Sequence, residues 1–223
     1  MQQYYSRRVT AGRGRGLTVF LIVLAVLLAA AAVLSWMVLS DPNAGKGLDA
    51  VAPSDAAVKE VLRSAVAGKE CSLSTEQTNG LLASFLQKYN KGRSDSGTRI
   101  RALAVADAED GRADLYVPVR YKGKNLGVTL DMTPALSADG SALVFRVNAA
   151  HVGRLPVPPA WLLKTARKKL PASFTLNGTE LSCPAPSLTL SVLNVSGTMK
   201  ISSLRMEDGQ LRIGAKTAVS VGG

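Results

Sequence analysis

The chain has 223 residues, with 27 Lys and Arg against 16 Asp and Glu, one His, two Cys and a formal net charge of +11. Its 47% apolar content excludes a wholly disordered chain. One His and two distant Cys exclude a Cys/His zinc cluster.

Every charge before Leu17 is positive: Arg7, Arg8, Arg13 and Arg15. Leu17 to Leu39 is then 23 residues without a charge. That is about 34 Å of helix, enough to cross a hydrocarbon core of about 30 Å. The positive-inside rule predicts a cytoplasmic tail at 1–16, a transmembrane helix at 17–39 and everything later outside the cytoplasm. A cleaved signal peptide has a shorter apolar core, of about 7–15 residues. A retained single-pass anchor in the cell membrane is therefore expected. The short tract Gly12 to Gly16 reads as a flexible basic flank, so no nucleic-acid partner is expected. Without the four tail arginines, 23 basic residues face 16 acidic ones, a formal +7. Such a domain is drawn to anionic headgroups or wall polymers, or it is simply a soluble basic surface.

Residues 40–54, rich in Pro, Gly, Ala and Asp, read as a linker, with an α+β domain over 55–223. Ala57, Val58, Val61, Leu62, Ala65 and Val66 recur at helical spacing before Gly68, a C-cap. Ser74 with Gln77 three residues later fits a capping box, opening a helix whose apolar stripe runs through Leu81, Leu82, Phe85, Leu86 and Tyr89. From about residue 98 the period becomes two. Leu115, Val117, Val119 and Tyr121 share a face, as do Leu126, Val128, Leu130 and Met132, and then Leu143, Phe145 and Val147. Leu188, Leu190 and Val192 repeat the pattern, followed by Leu211, Ile213 and Ala215. The breaks at Asp110-Gly111, Gly123-Lys124, Asp139-Gly140, Asn177-Gly178 and Asp208-Gly209 are hairpin signals, so the strands form an antiparallel meander. Pro156, Pro158 and Pro159 launch one inserted helix from Trp161 to Leu170. The predicted fold is α+β: an N-terminal transmembrane helix, two helices, and a long curved antiparallel sheet interrupted by one helix.

Catalytic patterns are missing. His151 is the only histidine and reads as a strand-end residue. The sequence contains no G-x-S-x-G elbow, P-loop or H-E-x-x-H. Asp107, Glu109, Asp110 and Asp114 read as a solvated turn. A non-enzymatic chain with no cofactor and no metal ligands is expected. Cys71 and Cys183, both outside the membrane in this topology, are expected to form a disulfide, worth about 4.7 kcal/mol for a loop of about 100 residues. The alternative is two free buried thiols.

About eight strands each offer an apolar face to only three short helices. Either the sheet covers itself, or part of its face is a groove for an acyl chain or a partner. In the groove case, Leu130 and Phe145 line it, Trp161 flanks it, and Lys164 and Lys168 meet an anionic group.

The segment Val152-Gly153-Arg154-Leu155-Pro156-Val157-Pro158, followed by a helix and Leu170-Pro171, resembles a signature of the YpmS family of single-pass membrane proteins from Gram-positive bacteria. The Ser74-to-Leu82 stretch, with Asn79 before a leucine pair, is similar to that family's first ectodomain helix. The resemblance covers about residues 72–217 together with the N-terminal anchor. It implies architecture and location, and brings no catalytic residues. The expected function is a membrane-anchored, non-enzymatic extracytoplasmic domain that binds or carries a lipid or other amphiphile in the cell envelope. The alternative is a scaffold or interaction subunit of envelope machinery, with an envelope protein as partner.

Overall fold

A computed structural model describes residues 13–91, 99–121, 123–170, 172–185, 187–192 and 195–221. Side chains at 13–19, 99, 169, 187–199 and 217–221 are outside that description. So are the tail at 1–12, Pro171, and the side chains of Leu188, Leu190 and Val192 that the sequence reading used.

The elements run α1 (Arg13–Leu39), α2 (Ala56–Val66), β1 (Cys71–Leu73), α3 (Thr75–Asn90), β2 (Arg99–Ile100), β3 (Ala104–Glu109), β4 (Arg112–Tyr121), β5 (Lys124–Leu136) and β6 (Ala142–Val152). Then follow β7 (Leu155–Val157), α4 (Pro159–Ala166), β8 (Thr175–Asn177), β9 (Glu180–Pro184), β10 (Ser187–Val192), β11 (Val195–Glu207) and β12 (Gln210–Val221). Among the described residues the fold is α+β, with four α-helices and antiparallel sheets. Phe20–Leu39 of α1 is long and apolar enough to cross a membrane, and it is exposed except for the half-buried Met37 and Val38 at its end. A membrane anchor and a signal helix both have that character.

Local chemistry explains the element ends. Gln77 N–H donates to Ser74 Oγ at 3.2 Å and Ser74 N–H donates back to Gln77 Oε1 at 2.9 Å, the reciprocal box that starts α3. Pro159 occupies the first turn of α4, two residues before the expected start at Trp161. After Ala166 the helix tightens into a 3-10 turn, Arg167–Lys169.

The strands do not form one long sheet. The larger sheet has the order β2-β4-β5-β6-β9-β8, with β3 also on β4 and β7 also on β6. The smaller has the order β1-β12-β11-β10. Beyond β9 the chain leaves the first sheet, and β12 pairs with the early strand β1, Cys71 opposite Ile213 and Leu73 opposite Leu211. Splitting lets each apolar face cover the other, which a single open sheet with three short helices cannot do.

The register sorts the large sheet into two faces. Leu115 lies opposite Leu130, Val117 opposite Val128, Met132 opposite Val147 and Leu143 opposite Cys183, all on the apolar face. At one end Leu143 packs against Ala57, Cys71, Leu73, Leu204 and Ile213 from α2 and the small sheet. In the middle, Leu163 of α4 is buried with Met132 and Val147. The other face carries Asp114 opposite Asp131 and Tyr116 opposite Thr129, and His151 is also opposite Thr129. At the β3 edge, Asn79 of α3 clamps the backbone of Val105: its Oδ1 accepts from Val105 N–H at 2.6 Å and its Nδ2 donates to Val105 O at 3.0 Å.

The expected disulfide is corrected. Both Cys71 and Cys183 are free. Cys71 is placed by the β1–β12 register in the small sheet, and Cys183 by the β6–β9 register in the large one. Loop entropy rewards a bridge only where two separate strand registers bring the sulfurs together. Burial raises both thiols above their ordinary range, with Glu60 adding to the effect at Cys71.

Candidate functional site

The most heavily determined feature outside the core is the junction between α1 and the large sheet. The last carbonyls of a helix have no partner within it. Here Arg154 N–H donates to Met37 O at 2.8 Å and Ser40 N–H to Trp36 O at 2.8 Å. Gly153 turns β6 into β7 at φ +59, and a Cβ there would collide with the carbonyls of Met37 and Val38. The residue is therefore glycine for two reasons, a left-handed backbone and a close approach. The Arg154 guanidinium lies 5.6 Å from the ring centroid of Trp36, near the negative end of the α1 dipole.

Beyond Leu39 the chain stays on the sheet. Tyr116 donates its hydroxyl to Asp41 Oδ2 at 2.5 Å, and the Asp41 carboxylate stands over Gly127, where a Cβ would collide with it. Asn43 Nδ2 donates to Thr129 Oγ1 at 3.2 Å, and Ser54 N–H to Gly80 O at 3.1 Å. Residues 40–54, flexible by composition, are thus seated as a strap. Tyr116 is 4% exposed, and burial together with the Asp41 carboxylate raises its phenol above the ordinary value of 10.0. None of Gly153, Gly127, Asp41 and Tyr116 stands out in sequence as a joint. Only Gly153, as the glycine of a V-G-R-L-P-V-P turn, carried any signal.

The residues expected to bind an amphiphile are partly assembled. Leu130 and Phe145 are half-buried and pack against the cluster containing Leu163, so α4 sits on the face they line. Trp161 is 58% exposed, and Lys164 and Lys168 are exposed on or just after the same helix. Leu163 occupies the space above Leu130 and Phe145 where an acyl chain would lie.

A concavity of about 210 Å³ lies at the end of the sheet away from α1, lined by Asp107, Glu109, Arg112, Asp114 and Asp131. Another, of about 170 Å³, lies between the strap and α3 and includes Leu48, Pro53, Leu86 and Arg101. Both are smaller than the roughly 300 Å³ at which small-molecule pockets begin. Burial, with Asp131 and Asp107 nearby, raises the Asp114 carboxyl. Arg112 lies 3.6 Å from Asp131 and 3.7 Å from Glu109, and Asn148 donates to Asp131 at 3.0 Å. His151 is half-buried within β6. Among the described residues no group of three or more His, Cys, Asp or Glu is arranged to hold a metal ion.

No family model, curated protein or solved structure matches the chain.

Proposed function

We propose that this chain is a membrane-anchored, non-enzymatic envelope domain that engages lipid at the surface of its own bilayer, with the N-terminus cytoplasmic and the domain outside. The observation that carries this reading is the junction. A domain tethered by a loose linker samples any orientation, whereas Met37, Val38 and Asp41 are fitted into Gly153, Gly127 and Tyr116. One end of the large sheet is thereby presented to the membrane. The resemblance to the YpmS family supports the same location, and its Gly153 turn is the one that receives α1.

Engagement at the surface fits better than carriage of an enclosed lipid, because Leu163 and the small sheet take up the apolar face. The test uses the full chain in vesicles with a phospholipid bearing a diazirine near its headgroup. Photolabel should appear in β4–β7 as well as in α1. Label confined to α1 refutes the reading. A C-terminal alkaline-phosphatase fusion, active in cells, checks the topology.

A second reading, docking of an envelope protein, is favoured by Trp161. This large apolar ring is 58% exposed and close in sequence to Lys164 and Lys168. Aromatic residues exposed in this manner serve as interface anchors. Cross-linking from position 161 in cells separates the two readings.

A further inference from the structure

The large sheet is charge-polarised along its strands. Its far end, at the β3–β4 and β5–β6 turns, carries Asp107, Glu109, Asp110, Asp114, Asp131 and Asp139 against Arg112 and Arg146. Both of those arginines are in ion pairs, Arg112 with Glu109 and Asp131, and Arg146 with Glu180. The near end, at the β4–β5 and β6–β7 turns, carries Arg120, Lys124 and Arg154, all exposed, and none of the three is in an ion pair among the described residues. Asp41, an acid described there, is held by Tyr116.

The path of the chain shows which end faces the bilayer. Val38 abuts Gly153, Asp41 reaches Gly127, and Asn43 reaches Thr129. The strap therefore climbs β5 away from the β4–β5 tip as it leaves α1. The apolar length of α1 is exposed, and its C-terminal end is received at the β6–β7 turn, on the near end of the sheet. The pairing Tyr121 with Lys124 lies three residue positions along β5 from Gly127, whose carbonyl accepts from Gly153 N–H where α1 is received. At about 3.3 Å per residue the tip extends about 10 Å along the strands from that junction. It carries Tyr121, 48% exposed, while Trp36 on α1 is 60% exposed. Tyr and Trp rings favour the headgroup level of a bilayer. Val117, Val119, Leu126 and Val128 continue the apolar face down to the tip, half-buried.

We propose that this near end is a headgroup rim. Arg120, Lys124 and Arg154 hold the phosphates of anionic phospholipids in the bilayer that α1 enters, with Tyr121 and Trp36 at the interface. The proposal rests on the reading of α1 as a membrane anchor. Arginine suits the task because its planar fork binds phosphate oxygens through two donors at once. The acidic far end, repelled by the same surface, keeps the sheet upright.

The test measures the relative association of spin-labelled phosphatidylglycerol and phosphatidylcholine with the full chain in proteoliposomes. Wild type should prefer phosphatidylglycerol, and each cation removed should lower that preference up to about five-fold. The variant Arg120→Ala/Lys124→Ala should lose most of it. Arg120→Lys/Arg154→Lys, which keeps the charge, should retain more than half, and high salt should weaken the wild-type preference. A preference absent from wild type overturns the rim. So does one unchanged in Arg120→Ala/Lys124→Ala, which would assign it to the four tail arginines. Extraction of the chain by alkaline carbonate would overturn the anchor itself, an outcome distinct from an anchored chain without headgroup preference.

Discussion

Replacing Gly153 by alanine separates the junction from ordinary turn chemistry, because a matched control exists. Gly153 (φ +59) and Gly178 (φ +61) adopt nearly the same left-handed backbone, yet a Cβ at Gly178 meets nothing within 4 Å. Alanine in that conformation costs about 1–2 kcal/mol at either position. At Gly153 the new methyl also collides with the carbonyls of Met37 and Val38, which are backbone and cannot rotate away. Relief requires α1 to back off, losing the Arg154 N–H to Met37 O bond and the Arg154 stack on Trp36. Those are worth about 1 kcal/mol and about 0.5–1 kcal/mol. The excess at Gly153 over Gly178 is therefore about 1.5–2 kcal/mol, or roughly ten- to thirty-fold in a local opening equilibrium. Hydrogen exchange of the full chain in nanodiscs reads this directly. Peptides covering residues 37–46 and 150–157 should exchange faster by about that factor in Gly153→Ala and be unchanged in Gly178→Ala. Equal effects of the two variants, or no effect of the first, would show that α1 is not held by this turn.

Asn79→Ala removes both partners from the buried backbone of Val105 and should cost about 2–4 kcal/mol, read as a fall in urea midpoint at constant slope. Tyr116→Phe should cost about 1.5 kcal/mol by taking the phenolic donor from Asp41 Oδ2, while Asp41 Oδ1 keeps the Asn43 N–H. Because the folded phenol titrates above its unfolded value of 10.0, wild-type stability holds below pH 10 and falls as pH rises through the folded value. Tyr116→Phe should lack that alkaline loss, and an identical alkaline profile would count against the assignment. Thiol titration of the denatured, unreduced chain should find two free thiols, and in the native chain both should react slowly at neutral pH because burial keeps them protonated. Finding none would restore the bridge that the strand registers oppose.

Much of the local structure was legible because it is written in a few adjacent residues. An uncharged run from Leu17 to Leu39 leaves little but a long apolar helix. Ser74 and Gln77 close the capping box with atoms three residues apart, and Asp110-Gly111, Asp139-Gly140 and Asn177-Gly178 each bend the chain within one turn. The candidate site was far less legible. Leu130, Phe145 and α4 were read as neighbours and are neighbours, but the space above the two residues is taken by Leu163. Periodicity assigns a residue to a face and cannot say what lies against it.

The sequence by itself determined the anchor-like helix, the strand and helix types and the positions of the hairpins, since periodicity, capping and turn preference act over at most a few turns of chain. Tertiary structure alone decided how the meander divides, because β10 does not pair with β9, the strand before it, and β12 pairs with the distant β1. It decided that the cysteines stay apart, each obeying its own strand. It also decided that a Pro- and Gly-rich strap is held in place, through Tyr116 and Gly127, from 75 residues or more further along the chain. Arg120, Lys124 and Arg154 are scattered in sequence and become one rim only because two hairpins place their turns at the same end of a sheet. Pairings between distant segments depend on whole surfaces fitting each other, and no single stretch of sequence carries that information.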